Sequence, residues 1–157
     1  MSNPTRQVRR RTFLATAGIG AVTALRFTEP LGAAELTDAE KANIKVVTDF
    51  CAAWSTRDLK KILPFMSEDC VYRMTETTAP VNGHAGITER LGTWMETSQR
   101  IEFNIHDTFA KGPMVVNHRI DRFVSTTRPL TWEGVGVFFL KDGKIKEWFD
   151  YSIRTVR

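Results

Sequence analysis

VVNHRIDRFV, residues 115–124, and KIKEWFDY, residues 144–151, are the stretches whose reading decides the fold. Both read as strands. In the first, period-two alternation puts Asn117, Arg119, Asp121 and Phe123 on one face, and Val116, His118, Ile120 and Arg122 on the other. In the second, Trp148 and Asp150 share a face. With both strands in one sheet, two carboxylates and one guanidinium converge if that face lines a pocket. Two acids bridged by an arginine point to paired acid and base catalysis.

The elements around these strands follow from local pattern. Asp142-Gly143, between Phe-Phe-Leu and Lys-Ile-Lys, is the strongest turn signal in the chain and favours a type I′ hairpin. From Arg100 onward the pattern alternates, with breaks at residues 111–113, 126–128 and 142–143, which predicts four long strands in hairpin succession. Upstream, Thr37 and Glu40 have the spacing of a capping box, and Ile44, Val47, Phe50, Cys51 and Trp54 recur at helical spacing. A shorter helix is expected over residues 58–65, then a turn at 67–69 and a strand at 70–75. Pro80 and Asn82-Gly83 mark residues 77–83 as a loop, and Ile87, Leu91, Trp94 and Met95 stripe a third helix over about 84–97. Three helices, a short strand and four hairpin-linked strands describe an α+β domain with a curved, mostly antiparallel sheet packed on helices. Folded this way the sheet makes a cone, with an internal pocket suited to a small apolar molecule.

Composition narrows the function classes. A chain of 157 residues, 42% hydrophobic, supports one ordinary core. The formal charge of +4 belongs to the leader: of 22 Lys and Arg and 18 Asp and Glu, five Arg and one Glu precede residue 35, so the remainder carries 17 of each. That removes the electrostatic case for nucleic acid. Residues 1–34 have the parts of an export signal, namely a basic start, an apolar run over 13–25 and small residues at Gly32, Ala33 and Ala34. Arg10-Arg11-Thr12-Phe13-Leu14 resembles the twin-arginine motif, although Arg9 stands where Ser or Thr is usual. The expectation is a protein exported to the periplasm or beyond, cut after Ala34, with one domain over residues 35–157 and no membrane association afterwards. Cys51 and Cys70 could pair in an oxidising compartment or serve as small core residues. Two cysteines and three scattered histidines lack the spacing of a metal site.

The order and spacing of Tyr72, Arg119-x-Asp121 and Trp148-x-Asp150-Tyr151 resemble the limonene-1,2-epoxide hydrolase family over most of residues 35–157. The resemblance implies the cone-shaped fold shared with nuclear transport factor two, ketosteroid isomerases and polyketide cyclases, with the active site inside the cone. Carried over by position, Asp150 is the base that takes a proton from water, Asp121 the acid that protonates the epoxide oxygen, Arg119 their bridge, and Tyr72 a holder of the water. The chemistry implied is cofactor-independent hydrolysis of a small hydrophobic epoxide to a diol. One position departs: the family's second water-holding residue, an asparagine two after the tyrosine, is Met74 here. Asn104, Asn117 and His106 are the polar groups that could replace it.

Other readings stand beside this one. Arg119 and Asp121 could form an exposed cross-strand charge ladder, with Asp150 facing solvent. An isomerase or cyclase on the same cone would move a proton on a ketone or polyketide-like substrate, and a non-catalytic carrier would only hold an apolar ligand. The expected pocket lining is Met74, Asn117, Phe123 and Trp148, with the tryptophans as core or pocket walls. A homodimer is compatible with a domain of this size.

Overall fold

The structure, a computed structural model, describes residues 35–125 and 129–156. The expected export signal and the expected break at 126–128 lie outside the described residues. Helix α1 spans Asp38–Ala53, α2 Leu59–Ile62 and α3 Gly83–Thr97; the strands are β1 Met66–Arg73, β2 Val81–Asn82, β3 Ser98–Lys111, β4 Met114–Ser125, β5 Leu130–Lys141 and β6 Lys144–Val156. This is an α+β domain of three helices and one six-stranded sheet.

The predicted capping box starts α1: Thr37 Oγ1 accepts from the Glu40 N–H at 3.2 Å, and Glu40 returns the contact to the Thr37 N–H at 2.8 Å. Glu40 also accepts from the Gly112 N–H in the β3–β4 turn. These backbone donors, Gly112 first, hold its carboxyl down at about 2. Along the stripe, Val47, Phe50 and Cys51 of α1 and Trp54 just after it are buried and Ile44 is half-buried, and Phe50 meets Trp54, Phe138 and Trp148 edge to face.

The sheet order is β2-β1-β6-β5-β4-β3. The hairpin succession β3-β4-β5-β6 is antiparallel throughout. At the last turn, Asp142 and Gly143 have φ of 52° and 71°, and Lys141 pairs with Lys144, the geometry of the expected type I′ hairpin. One pairing is parallel, within the expected mostly antiparallel sheet: β1 lies against β6, with Tyr72 opposite Trp148. The chain reaches that position through a long crossover, which no local pattern announces.

Three boundaries also move. The expected turn at 67–69 lies inside β1, where Met66 and Cys70 point inward, Ser67 is half-buried, and Glu68 and Asp69 are exposed across an irregular register. The loop at 77–83 carries the two-residue strand β2 on the sheet edge. The second helix shortens to Leu59–Ile62, because Pro64 permits only a 3-10 turn at Leu63–Phe65. Cys51 and Cys70 are both buried free thiols, so the disulfide alternative is excluded in this structure. Among the described residues no helix is long and apolar enough to cross a membrane.

Candidate functional site

The inward face of β4 is occupied by Val115, Asn117, Arg119 and Asp121, all buried. Asp150 is buried on β6, one strand beyond β5. The exposed-ladder reading fails on this burial: Arg119 is 0% exposed and Asp121 only 2%. The Arg119 guanidinium donates through Nε to both Asp121 oxygens at 3.0 and 3.1 Å, and through Nη2 to Asp150 Oδ1 at 2.8 Å. Its Nη1 donates to Asn117 Oδ1 at 3.1 Å. One cation therefore bridges two carboxylates, and every arm of its fork is engaged.

Two glycines let this happen. β5 lies between β4 and β6, and Gly136 is paired with Asn117 on one side and Asp150 on the other. A Cβ at Gly136 would lie 2.1 Å from Arg119 Nη1 and 2.8 Å from Asn117 Oδ1, so the guanidinium crosses β5 only because that carbon is missing. Gly134, opposite Arg119, clears the Trp132 ring in the same way. The cation is also walled by aromatic faces, 4.9 Å from the ring centres of Phe103 and Trp132. The two glycines were missed as site residues. The signal was a Gly-x-Gly inside an otherwise apolar strand, where backbone must be approached closely.

The two acids sit in different surroundings. Burial pushes the Asp121 carboxyl up to about 7 against the opposing pull of Arg119, with the charge of Asp150 adding to the rise. Asp150 is also raised by burial, but Arg119 draws it down, by charge and by its hydrogen bond, and the Trp148 indole N–H, bonded to Oδ1 at 2.8 Å, draws it down too. Its Oδ2 has no partner among the described residues. Tyr72 stacks on Trp148 with ring centres 4.1 Å apart, and burial, then Asp150, raises its phenol well above the ordinary value. It stays a neutral hydroxyl, able to donate and accept.

Tyr72, Asp121 and Asp150 line one cavity of about 550 Å³. Phe123, Trp148 and Met74 also line it, with Trp54, Trp94, Trp132 and Phe103. Asn117 does not line it: this side chain lies beneath the guanidinium and donates to Cys51 Sγ at 3.6 Å. Position on the right face was insufficient, because the long Arg119 side chain covers its shorter neighbour. Asn104 donates to the Ile120 carbonyl and His106 is exposed, so neither reaches the cavity to replace the amide missing at Met74. Met74 itself is 37% exposed at the cavity's open side, just beyond the end of β1. The Cys51 thiol, pushed up to about 12 by burial, is no nucleophile. Among the described residues no three His, Cys, Asp or Glu side chains cluster as metal ligands.

The profile of the SnoaL-like domain family matches residues 47–148. No curated protein matches the chain. Among solved structures, an epoxide hydrolase of the limonene epoxide hydrolase type from M. tuberculosis is 25% identical, with a TM-score of 0.60, covering 72% of this chain and 84% of that one. SalBIII, described as an epoxide hydrolase/cyclase-like enzyme in pyran ring formation in the polyether salinomycin, is 15% identical with a TM-score of 0.65, covering 72% and 92%. A Catenulispora acidiphila protein of ketosteroid isomerase-like fold, 15% identical with a TM-score of 0.60, covers 68% and 84%. The architecture is thus the one shared by ketosteroid isomerases and nuclear transport factor two.

Proposed function

Because the chain belongs to the SnoaL-like domain family, whose fold serves epoxide hydrolases and cyclases, we propose that it opens a small hydrophobic epoxide by concerted acid and base catalysis without a cofactor. The observation that carries this reading is the single guanidinium shared by two buried aspartates, one of which, Asp121, is raised to about 7, on the wall of an apolar cavity. Asp150, ionised and with Oδ2 free, takes a proton from water as the water oxygen bonds to an epoxide carbon. The carbon–oxygen bond breaks, and the released oxygen takes the proton of Asp121. The product is a diol, and the proton returns from Asp150 to Asp121 before the next turnover. Tyr72, uncharged beside Asp150, is the second contact for the water.

Met74 favours a second form of the same chemistry. A thioether cannot replace an amide as a water ligand, and no other amide lines the cavity among the described residues. With the water less firmly held, a hydroxyl of the substrate itself can be the nucleophile, giving a cyclic ether. The two outcomes separate by product mass in labelled water. A diol carries the label and an added water, while a ring has the mass of the substrate. Recovery of every epoxide in a terpene and polyketide-like panel unchanged would leave only a carrier and overturn the enzymatic reading.

The pH profile follows from Asp121. The mechanism needs this carboxyl protonated, and its value of about 7 sets the alkaline limb, so turnover is expected to fall as pH rises through about 7. Arg119 and Tyr72 keep their charge states across that interval, Arg119 because the two aspartates raise it further still, and Asp150, also raised by burial, shares the same guanidinium. A flat profile from pH 6 to 9 would remove Asp121 as the acid.

The leader is likewise proposed to direct export by the twin-arginine route. Changing Arg10 and Arg11 to lysine should leave precursor in the cytoplasm, and normal secretion of that variant would overturn the assignment.

A further inference from the structure

The cavity has a polarity along its length. Its buried lining, which includes Trp54, Tyr72, Asp121, Trp132, Trp148 and Asp150, marks an inner end, and its exposed lining, Met74, Arg90 and Thr155, marks the opening. Three charged side chains belong to the described lining: Asp121, Asp150 and Arg90. Both aspartates are committed to Arg119 at the inner end. Arg90 makes no ion pair or hydrogen bond with any described residue, so among the described residues the positive charge at the opening is uncompensated.

Two observations separate Arg90 from an ordinary solvated helix charge. It lies on α3 between the buried Ile87 and Leu91, four residues before the cavity-lining Trp94, and this spacing turns it towards the opening. Its charge also reaches inward, acting on the Tyr72 phenol. A carboxylate is the group that suits a single exposed guanidinium, which presents a planar fork to two oxygens. At the opening the anion keeps part of its hydration, so pairing there avoids the desolvation that opposes buried ion pairs. Deeper in, the same anion would meet Asp150.

We infer that Arg90 selects a substrate with an apolar body and a carboxylate at the end remote from the epoxide, bound with the carboxylate at the opening and the ring at the aspartates. This rests on the epoxide-opening reading for the reacting end, while the anion preference rests on the cavity alone. The aromatic walls accept the apolar body, and the inner end, where the Arg119 charge is already taken up by Asp121 and Asp150, offers no free cation to a carboxylate in the reverse orientation.

The test uses a medium-chain saturated carboxylic acid and its methyl ester as binding probes, followed by quenching of the wall tryptophans. The corresponding ω-epoxy acid and methyl ester are the turnover probes. Wild type should bind the acid about tenfold or more tightly than the ester, the scale of a charge-assisted hydrogen bond at a partly hydrated site. That preference should shrink with added salt. In Arg90→Gln the ratio of the two dissociation constants should fall toward one. Equal binding of acid and ester by wild type, or a preference that survives in Arg90→Gln, overturns the inference. An acid preference in binding, with neither epoxide turned over, overturns the epoxide-opening reading and leaves the anion selectivity standing.

Discussion

Asp150→Asn and Asp121→Asn should each lower turnover of an epoxide substrate by two to four powers of ten, with little change in KM, about the scale of a positioned base or acid. Both replacements keep the shape of the network. An amide oxygen at 150 still accepts from Arg119 Nη2 and Trp148 Nε1, and one at 121 still accepts from Arg119 Nε. What each loses is the proton function, which is why kcat should fall and KM should not. A stability signature accompanies the catalytic one. The Asp121 carboxyl rises from 3.8 to about 7 on folding, so its contribution is full below 3.8 and lost as pH rises through about 7, because the unfolded chain ionises first. Thermal denaturation of wild type should therefore show stability declining across that window, with Asp150 adding to the slope in the same sense. In Asp121→Asn the slope should diminish. Circular dichroism at each pH checks the fold, and wild-type turnover by both variants would make the network structural.

Gly136→Ala should be nearly as damaging, although it adds one carbon to a residue that touches no substrate. That carbon must displace Arg119 Nη1, Asn117 Oδ1 and the Phe138 ring edge, all within 2.8 Å of it. An arginine tip usually moves aside at little cost. This one is 0% exposed and held by Asn117, Asp121 and Asp150, so moving it breaks hydrogen bonds between buried charges. Overpacking costs about 1–3 kcal/mol and a broken buried ion pair about 3–5 kcal/mol, so a loss of roughly 3 kcal/mol or more is expected. Turnover should fall by about a hundredfold or more as the bridge between the aspartates opens. Gly92→Ala is the contrasting control. Nothing lies within 4 Å of a Cβ there, and the site is helical, so the change should stabilise by about 0.5–1 kcal/mol. Equal denaturation midpoints for the two variants would mean that Gly136 does not hold the guanidinium's place.

The network's members were legible because a strand's alternation is a strict rule: once β4 and β6 were recognised, Arg119, Asp121, Trp148 and Asp150 had to share the inward faces. The capping box and the Asp142-Gly143 hairpin were legible for the same kind of reason, since each is a short-range contact between residues near in sequence. Tyr72 was placed on its element but not beside its partner. Its position against Trp148 depends on the parallel β1–β6 pairing, made between residues 76 apart in the chain.

Alternation tells which face a side chain takes and nothing about what lies above it. Asn117 was on the correct face and is still outside the cavity, because Arg119 is long enough to lie across it. Gly134 and Gly136 carry no side chain to read, and their importance emerges only where three strands meet. Arg90 is, in sequence, one more charge on a helix, and only the packing of α3 over the sheet puts it at the mouth of a cavity. The sequence by itself thus determined the elements, the inward face and the pair of acids, all set by local periodicity. The tertiary structure alone decided that both acids are raised by burial, which residues are covered and that Arg90 stands at the cavity's opening, because those depend on burial and on contacts between distant strands.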